Sequence, residues 1–317
     1  MSKKRKRKSG LKSPLTTLLI SLLMVFAAGS GIYCAKLFTT PYSSDLVSRL
    51  DENTLDEVEI SKDKCNILLM GTDKAGSLTD VMMLAQIDPD NSKVTVMSIP
   101  RDTRVKYKGS WMKINAVHAT GFRKGAPEGI EAAILAVKDL TGIPVNHFIK
   151  INFTAFRDCI DALGGVEFDV PRNMNYDDPY QDLHIHLKKG LQVLDGDKAE
   201  QLVRFRRYKN GDIDRIKVQQ DFLHALTEQK LQVKNISKIN KIYRIVAKNM
   251  ETSMTPDDAV QGAMQIMSAG KENIQTITLP NDPKYIGEIS YVIPRTNEIA
   301  DVRESIFGYD ENGNEIK

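Results

Sequence analysis

The stretch Val203-Arg-Phe-Arg-Arg-Tyr-Lys-Asn-Gly-Asp-Ile-Asp-Arg-Ile-Lys-Val-Gln-Gln220 gathers more groups suited to an anion than any other part of the chain. Read as a strand, 201–206 projects Arg204 and Arg206 from one face. A polar turn at Lys209–Asp212 follows, and Asp214 can cap a helix carrying Arg215 and Gln219 one turn apart. Three guanidiniums, an amide and a helix N-terminus would then meet. Such a set suits phosphate, because arginine offers a planar fork of donors and helix amides add positive potential. Taken alone, the segment reads first as a solvated basic surface, which is what charge runs usually are.

Other residue pairs add chemistry. The loop Gly71-Thr-Asp-Lys-Ala-Gly-Ser-Leu-Thr-Asp80 lies between two apolar runs and offers Asp73 and Asp80. Two carboxylates at strand ends can hold Mg²⁺ beside a phosphate, and aspartates with Gly and Thr also make turns. Ile99-Pro-Arg-Asp-Thr103 puts Arg101 at the mouth of a sheet, where α/β proteins bind ligands. Lys113-Ile-Asn115 adds a cation and an amide, either ligands or loop residues. His184 and His186 have the spacing of one strand face and the chemistry for zinc. Asp182 is the close carboxylate and no third Cys or His completes that set, so zinc is not expected. A nucleophile elbow and a Gly-Lys-Ser/Thr phosphate loop are both missing, which excludes serine-hydrolase and P-loop chemistry.

These groups need a scaffold. Cys65–Gly71, Val81–Ile87 and Lys93–Ile99 read as buried strands, the last two joined at the turn Asp88-Pro-Asp-Asn91. Gly129–Leu140 has helical spacing and stops at Gly142 and Pro144. Phe148–Ile151 is a short strand, Phe153–Leu163 a helix closed by Gly164-Gly165, and Val166–Val170 a strand. Asp195–Leu202, Phe222–Leu231, Ile236–Met250 and Pro256–Ala269 are helical, and Gln275–Leu279 is a strand. The alternation predicts an α/β class with helices covering a central mixed sheet, as one domain over 61–310 with a C-terminal tail at 311–317.

The formal net charge of +3 on 317 residues is unevenly spread. Seven of the 44 basic residues lie in residues 1–12, leaving 37 against 41 acidic residues elsewhere. The body is therefore mildly acidic and carries no general attraction for nucleic acid. Ser13–Ala35 is an uncharged 23-residue run behind that basic tail, long enough to span a bilayer. It predicts a signal anchor with a cytoplasmic N-terminus (residues 1–12), a single-pass membrane location, a stalk over 36–60 and an extracytoplasmic body. Ala27-Ala28-Gly29-Ser30-Gly31 imitates a signal cleavage site, although the apolar core is long for one. Cys65 and Cys159 lack framework-like spacing and are expected as buried thiols, with a disulfide as the alternative.

Taken in order, these segments resemble the LytR-CpsA-Psr family of cell-envelope glycopolymer transferases. The likeness rests on Asn66-Ile-Leu-Leu-Met-Gly-Thr-Asp73, Thr79-Asp-Val-Met-Met-Leu84, Ser98-Ile-Pro-Arg-Asp-Thr103 and Lys113-Ile-Asn-Ala116. It continues through Leu163-Gly-Gly-Val166, Leu194-Asp-Gly196, Val203-Arg-Phe-Arg206, Asp214-Arg215 and Gln219-Gln220, with Ser290-Tyr291 near the end. The resemblance implies an α-β-α fold around an apolar lipid tunnel. It also implies transfer of a glycan phosphate from a polyprenyl-pyrophosphate carrier to peptidoglycan, with Mg²⁺ as cofactor. Asp73 and Asp80 would hold the metal; Arg101, Lys113, Arg204, Arg206, Arg215 and Gln219 would hold the pyrophosphate. The implied catalytic set is Asp73, Asp80, Arg101, Arg204 and Arg206. One departure stands out: Leu78 occupies a position where the family usually has arginine, so Lys74 or Lys113 replaces that charge or lipid-phosphate affinity is weaker. A pyrophosphatase on the same lipid and a non-catalytic lipid-phosphate binder are the competing functions.

Overall fold

The structure is a computed structural model that describes residues 44–72, 78–178, 183–205, 207–208, 248–269 and 273–316, with single positions at 218, 221, 222, 225, 226, 229 and 245. In chain order it contains α1 (Ser44–Val47), β1 (Cys65–Thr72), β2 (Thr79–Asp88), β3 (Lys93–Ser98), β4 (Arg104–Tyr107), β5 (Ser110–Lys113), α2 (Ile114–Phe122) and α3 (Ala126–Thr141). There follow β6 (His147–Asn152), α4 (Phe153–Ala162), β7 (Val166–Val170), β8 (Met174–Asp178), β9 (Leu183–Leu187), β10 (Gly190–Leu194) and α5 (Gly196–Arg204). The chain closes with β11 (Met250–Thr252), α6 (Pro256–Ala269), β12 (Ile274–Thr278), β13 (Asn281–Ile286), β14 (Ile289–Pro294) and α7 (Thr296–Val302).

The central sheet has six strands in the order β11-β6-β1-β2-β3-β12. It is mixed: β1, β2 and β3 form an antiparallel meander, while β6 runs parallel to β1 and β12 parallel to β3. The apolar runs recognised in the sequence are these strands, because both sheet faces are covered. Leu68, Met70, Met82, Leu84, Met97 and Ile99 point into a core with α2 and α3. The alternate residues Ile67, Leu69, Met83, Ile87, Val94 and Val96 fill the other face with Met254 and Ala269. At the start of β1, Asn66 donates to Tyr309 Oη (2.8 Å) and Gln86 donates to the Asn66 side chain (3.2 Å) and to Phe307 O (3.0 Å). That buried network ties the C-terminal segment to the sheet.

A second, smaller core lies beside the sheet. Phe156 and Ile160 of α4, Leu202 and Val203 of α5, Phe168 of β7 and Ile185 of β9 meet there with Phe205 and Phe222. Both helices begin at side-chain caps: Asn152 accepts from Ala155 N (3.0 Å) and Asp195 from Lys198 N (2.9 Å).

Several expectations change. The stretch 201–206 is not a strand: α5 runs through Arg204 because Gly196, Ala199, Leu202 and Val203 are buried along one helical face. Residues 44–60, expected within a stalk, lie against the body, with Leu46, Val47, Leu50 and Leu55 packed on the main core and Ile60 buried. The described part of the expected tail, 311–316, folds back as well, since Glu315 reaches Lys64 Nζ at 2.9 Å. The proposed span Ser13–Ala35 and most of the helices expected at 222–250 lie outside the described residues. Among the described residues no helix is long and apolar enough to cross a membrane. The β4–β5, β8–β9 and β13–β14 hairpins and helix α2 had no sequence counterpart.

Cys65 and Cys159 are buried free thiols, and burial pushes each up to about 12. Only the thiolate reacts, so both groups should stay inert well above neutral pH. Alkylation of the native chain at pH about 8, read by mass spectrometry, should spare both and modify them after unfolding. The α2–α3 pair gives a second test of the fold. A Cβ on Gly121 would collide with the backbone of Glu128 and Gly129, which cannot swing aside as a side chain does. Gly121→Ala should cost about 1–3 kcal/mol, read as a lower urea midpoint with an unchanged slope.

Candidate phosphate site at one end of the sheet

Register gathers the site. Thr72, the last residue of β1, pairs with Thr79 of β2 and with Asn152 of β6. Beyond the end of β3, Ile99 N donates to Met82 O at 2.9 Å and the chain turns at Pro100 into Arg101. The exits of β1, β3 and β6 and the entry of β2 therefore share one edge. Asp80 is the second residue of β2 on that edge. Asp73 directly follows Thr72 in sequence but lies outside the described residues. The Oγ1 atoms of Thr72 and Thr79 are buried there without a hydrogen-bond partner among the described residues.

One flank of this edge is built by the turn after β3. Thr103 donates from N (3.0 Å) and Oγ1 (2.6 Å) to Pro100 O, and Asn115 N donates to Arg101 O (3.2 Å). Val292 N donates to Asp102 O (2.9 Å), which ties the turn to β14. Asp102 then sits between two cations: its Oδ1 is 2.8 Å from Lys113 Nζ and its Oδ2 is 3.9 Å from Arg101 Nε. The first is an ion pair; the second is a looser electrostatic contact. Tyr291 adds an aromatic face 5.9 Å from Lys113 Nζ and 5.7 Å from the Arg104 guanidinium, which also stacks on Trp111 at 4.2 Å.

The other flank is built by α4 and α5. Arg204 Nη1 is 2.8 Å from Glu200 Oε1, and Arg157 Nε approaches Glu200 Oε2 at 3.4 Å. Glu200 thus lies between two guanidiniums, and its side chain and that of Arg204 are only 12% and 10% exposed. The Arg204 guanidinium lies 5.3 Å from the Phe153 ring. Phe153 follows Asn152, so Arg204 stands over the β6 end of the same edge. From β6 to β3 is three strand spacings, roughly 14 Å, with Arg101 at one side and Arg204 at the other.

The sequence placed Arg101, Lys113 and Arg204 among the site residues, and the structure puts all three around this edge. It replaces the reason given for Arg204, which is the last residue of a helix rather than a strand partner of Arg206. Arg206, Arg215 and Gln219 lie outside the described residues, as does Lys74. Arg207 is exposed and stacks on Tyr176 at 4.8 Å, on the satellite core. Glu200, Arg157 and Arg104 were missed. The signal for Glu200 was present, since Glu200 and Arg204 are an i, i+4 pair once the helix is extended one turn.

The fold is therefore of the α/β class, with basic side chains flanking the strand ends where open α/β sheets bind ligands. Residues 37–307 match the LytR_cpsA_psr family model, and the chain belongs to that family. It is 30% identical over 310 residues to the polyisoprenyl-teichoic acid–peptidoglycan teichoic acid transferase TagV of Bacillus subtilis (strain 168), covering 91% of this chain and 76% of that protein. It is 27% identical to the TagU transferase of the same description from Bacillus cereus, covering 86% and 89%. The crystal structure of B. subtilis TagV superposes with a TM-score of 0.55 at 29% identity, covering 77% of this chain and 96% of that one.

The partly buried carboxylate between Arg157 and Arg204 is the clearest electrostatic commitment of the site. Glu200→Gln removes the charge that Arg204 faces and one of the two that Arg157 faces, the other being Asp197 at 3.1 Å. It should destabilise the fold by about 1–3 kcal/mol, below the roughly 3–5 kcal/mol of a fully buried pair because these groups keep some water. Chemical denaturation of the variant beside the wild type measures it.

Proposed function

We propose that this chain is a phosphotransferase that moves a teichoic acid or another secondary glycopolymer from a polyprenyl-pyrophosphate carrier to peptidoglycan. The observation that carries the reading is the pair of basic flanks on one sheet edge, Arg101 with Lys113 and Arg204 with Arg157. Membership of the family and the transferase names of its relatives support the same reading. The proposed setting is a single-pass membrane protein anchored by Ser13–Ala35, with the body outside the cytoplasm beside its lipid donor and wall acceptor.

In the proposed reaction a peptidoglycan hydroxyl attacks the phosphorus that carries the glycan. A new P–O bond forms to the acceptor, the bond to the bridging pyrophosphate oxygen breaks, and the lipid leaves as its monophosphate. No protein nucleophile is needed. Arg101, Lys113, Arg204, Arg206, Arg215 and Gln219 would bind the two phosphates and stabilise the charge that grows on the leaving oxygen. The attacking hydroxyl loses its proton to a carboxylate drawn from Asp73, Asp80, Asp212 and Asp214.

The edge also suits a hard cation. With Asp73 and Asp80, the buried hydroxyls of Thr72 and Thr79, unpartnered among the described residues, would make an oxygen-only donor set of the kind Mg²⁺ takes together with phosphate oxygens. Held by Asp73 and Asp80, Mg²⁺ would supply polarisation of a phosphoryl oxygen.

The full chain in detergent, given labelled lipid-linked precursor and peptidoglycan oligomers, tests the proposal. Arg101→Ala and Arg204→Ala should each lower transfer by about 10²–10³, the scale of losing one donor to a developing oxyanion. Arg207→Ala should leave transfer near the wild-type rate, since Arg207 faces Tyr176 on the satellite core. Equal activity in all three variants would return the arginines to a solvated surface. Release of lipid monophosphate without acceptor would favour a pyrophosphatase. Tight lipid binding without product would favour the non-catalytic binder suggested by Leu78.

A further inference from the structure

The β8–β9 hairpin carries a cluster that the proposed transfer chemistry does not use. Asp177 lies directly opposite His184, and Asn175 opposite His186. Along β9, Ile185 and Leu187 are buried in the satellite core, so His184 and His186 both project from the solvent face. Their side chains are 57% and 59% exposed, and that of Asp177 is 52% exposed. The Asp177 carboxylate leans between the two rings: its Oδ1 is 2.7 Å from His184 Nδ1 and 3.2 Å from His186 Nε2. One ligand atom from each residue falls within 4.8 Å of the others.

We propose that Asp177, His184 and His186 form a binding site for a divalent transition-metal ion of the zinc class. The ligands would be Asp177 Oδ1, His184 Nδ1 and His186 Nε2, with a fourth position open to water or a solute.

The donor set points to this class of ion. Two imidazole nitrogens and one carboxylate suit Zn²⁺ and its neighbours, whereas Mg²⁺ takes an all-oxygen shell. Three protein ligands with one open position is an ordinary zinc arrangement. A tetrahedral ion with bonds of about 2.0–2.1 Å separates its ligand atoms by roughly 3.3–3.4 Å. The observed 3.2 Å to His186 is close to that and the 2.7 Å to His184 is roughly 0.6 Å shorter, a hydrogen-bond distance that rotation of exposed side chains can open.

The backbone needs no change. His186 N donates to Gln201 Oε1 (2.8 Å) on α5, Lys189 N donates to Asn173 Oδ1 (2.8 Å), and Tyr176 Oη donates to Asp178 Oδ2 (3.2 Å). The hairpin is thus held against a helix and pre-organised for a ligand that joins its two strands. The sequence showed the two histidines but not their third partner, because Asp177 joins them only through the cross-strand register.

This inference does not rest on the transferase reading, and its test reads metal binding rather than transfer. The untagged full chain in detergent, stripped with a chelator, is titrated with Co²⁺ near neutral pH. The expected result is one Co²⁺ bound per chain with the strong visible absorption of a four- or five-coordinate ion. One equivalent of Zn²⁺ should displace it, and excess Mg²⁺ should not. Asp177→Asn and His186→Gln should each weaken Zn²⁺ binding by more than about tenfold. The metal-free circular dichroism and unfolding midpoint should stay unchanged, since all three side chains are largely in water. Failure of the wild type to bind Zn²⁺ stoichiometrically overturns the site, and so does wild-type affinity in either variant. In either case the cluster is an aspartate hydrogen-bonded to two histidines.

Discussion

Thr72 is paired on both sides, with Thr79 across an antiparallel ladder and with Asn152 across a parallel one. The geometry of the sheet end follows from that double pairing. In a sheet buried on both faces, a slip of one residue would exchange the sets of side chains committed to the two cores. Leu68 and Met70 belong to one core, and Ile67 and Leu69 to the other, so the register of β1 is tightly specified. With β1 fixed, the loop carrying Asp73 and the start of β2 carrying Asp80 must emerge at the same edge. Asn152 must begin α4 there, and α4 in turn sets Phe153 under Arg204. The layout of this edge is a consequence of core packing some distance away.

The cations around the edge share a feature that decides how they would meet a phosphate. An acid stands beside each of them: Asp102 by Lys113 and Arg101, and Glu200 by Arg204 and Arg157. Partly exposed ion pairs add little stability, typically about 0–1 kcal/mol. Their larger effect is on order. A free arginine or lysine carries roughly 2 kcal/mol of rotamer entropy, much of which is lost when the group is clamped by a ligand. A side chain already oriented by a carboxylate loses less on binding. Asp102 faces both Lys113 and Arg101, and Glu200 faces both Arg204 and Arg157, while Arg157 also reaches Asp197 at 3.1 Å, so the acids orient these cations as well as offsetting their charge.

The parts legible in the sequence were those whose local pattern agreed with their final burial. β1, β2, β3 and β6 announced themselves as short apolar runs, and α4 and α6 as amphipathic segments with clear stops. The hairpins were not legible, because β4–β5, β8–β9 and β13–β14 are short and partly exposed, with most strands rich in polar residues. The Arg204-Phe-Arg206 alternation imitates a strand. Burial of Leu202 and Val203 in the satellite core overrides it and carries the helix to Arg204. At the site, residue types were legible and their partners were not. Arg101, Lys113 and Arg204 stood out as cations, mainly through the family likeness. Asp102 beside Lys113 depends on a hairpin that brings β5 against the turn after β3, and no periodicity reports that.

The two basic flanks grow from different cores. Arg101 follows Ile99 and precedes Val105, both in the core shared with α2 and α3; Arg204 sits between Val203 and Phe205 in the satellite core. A ligand with two adjacent phosphates, as proposed here, would draw on cations from both. Its affinity would then depend on how the satellite core packs beside the sheet as well as on the charges themselves. The departure at Leu78 bears on this balance. It lies one residue before Thr79, on the β1–β2 loop between the flanks, where a further cation would have reached the ligand from the middle of the edge. Where Lys74 of the same loop does not supply that charge, more of the proposed phosphate binding would fall to the flanks, and so to Lys113, held by Asp102, and Arg204, held by Glu200. In that case the carboxylates that orient those two cations would matter more to the proposed binding than in a chain carrying an arginine at that position.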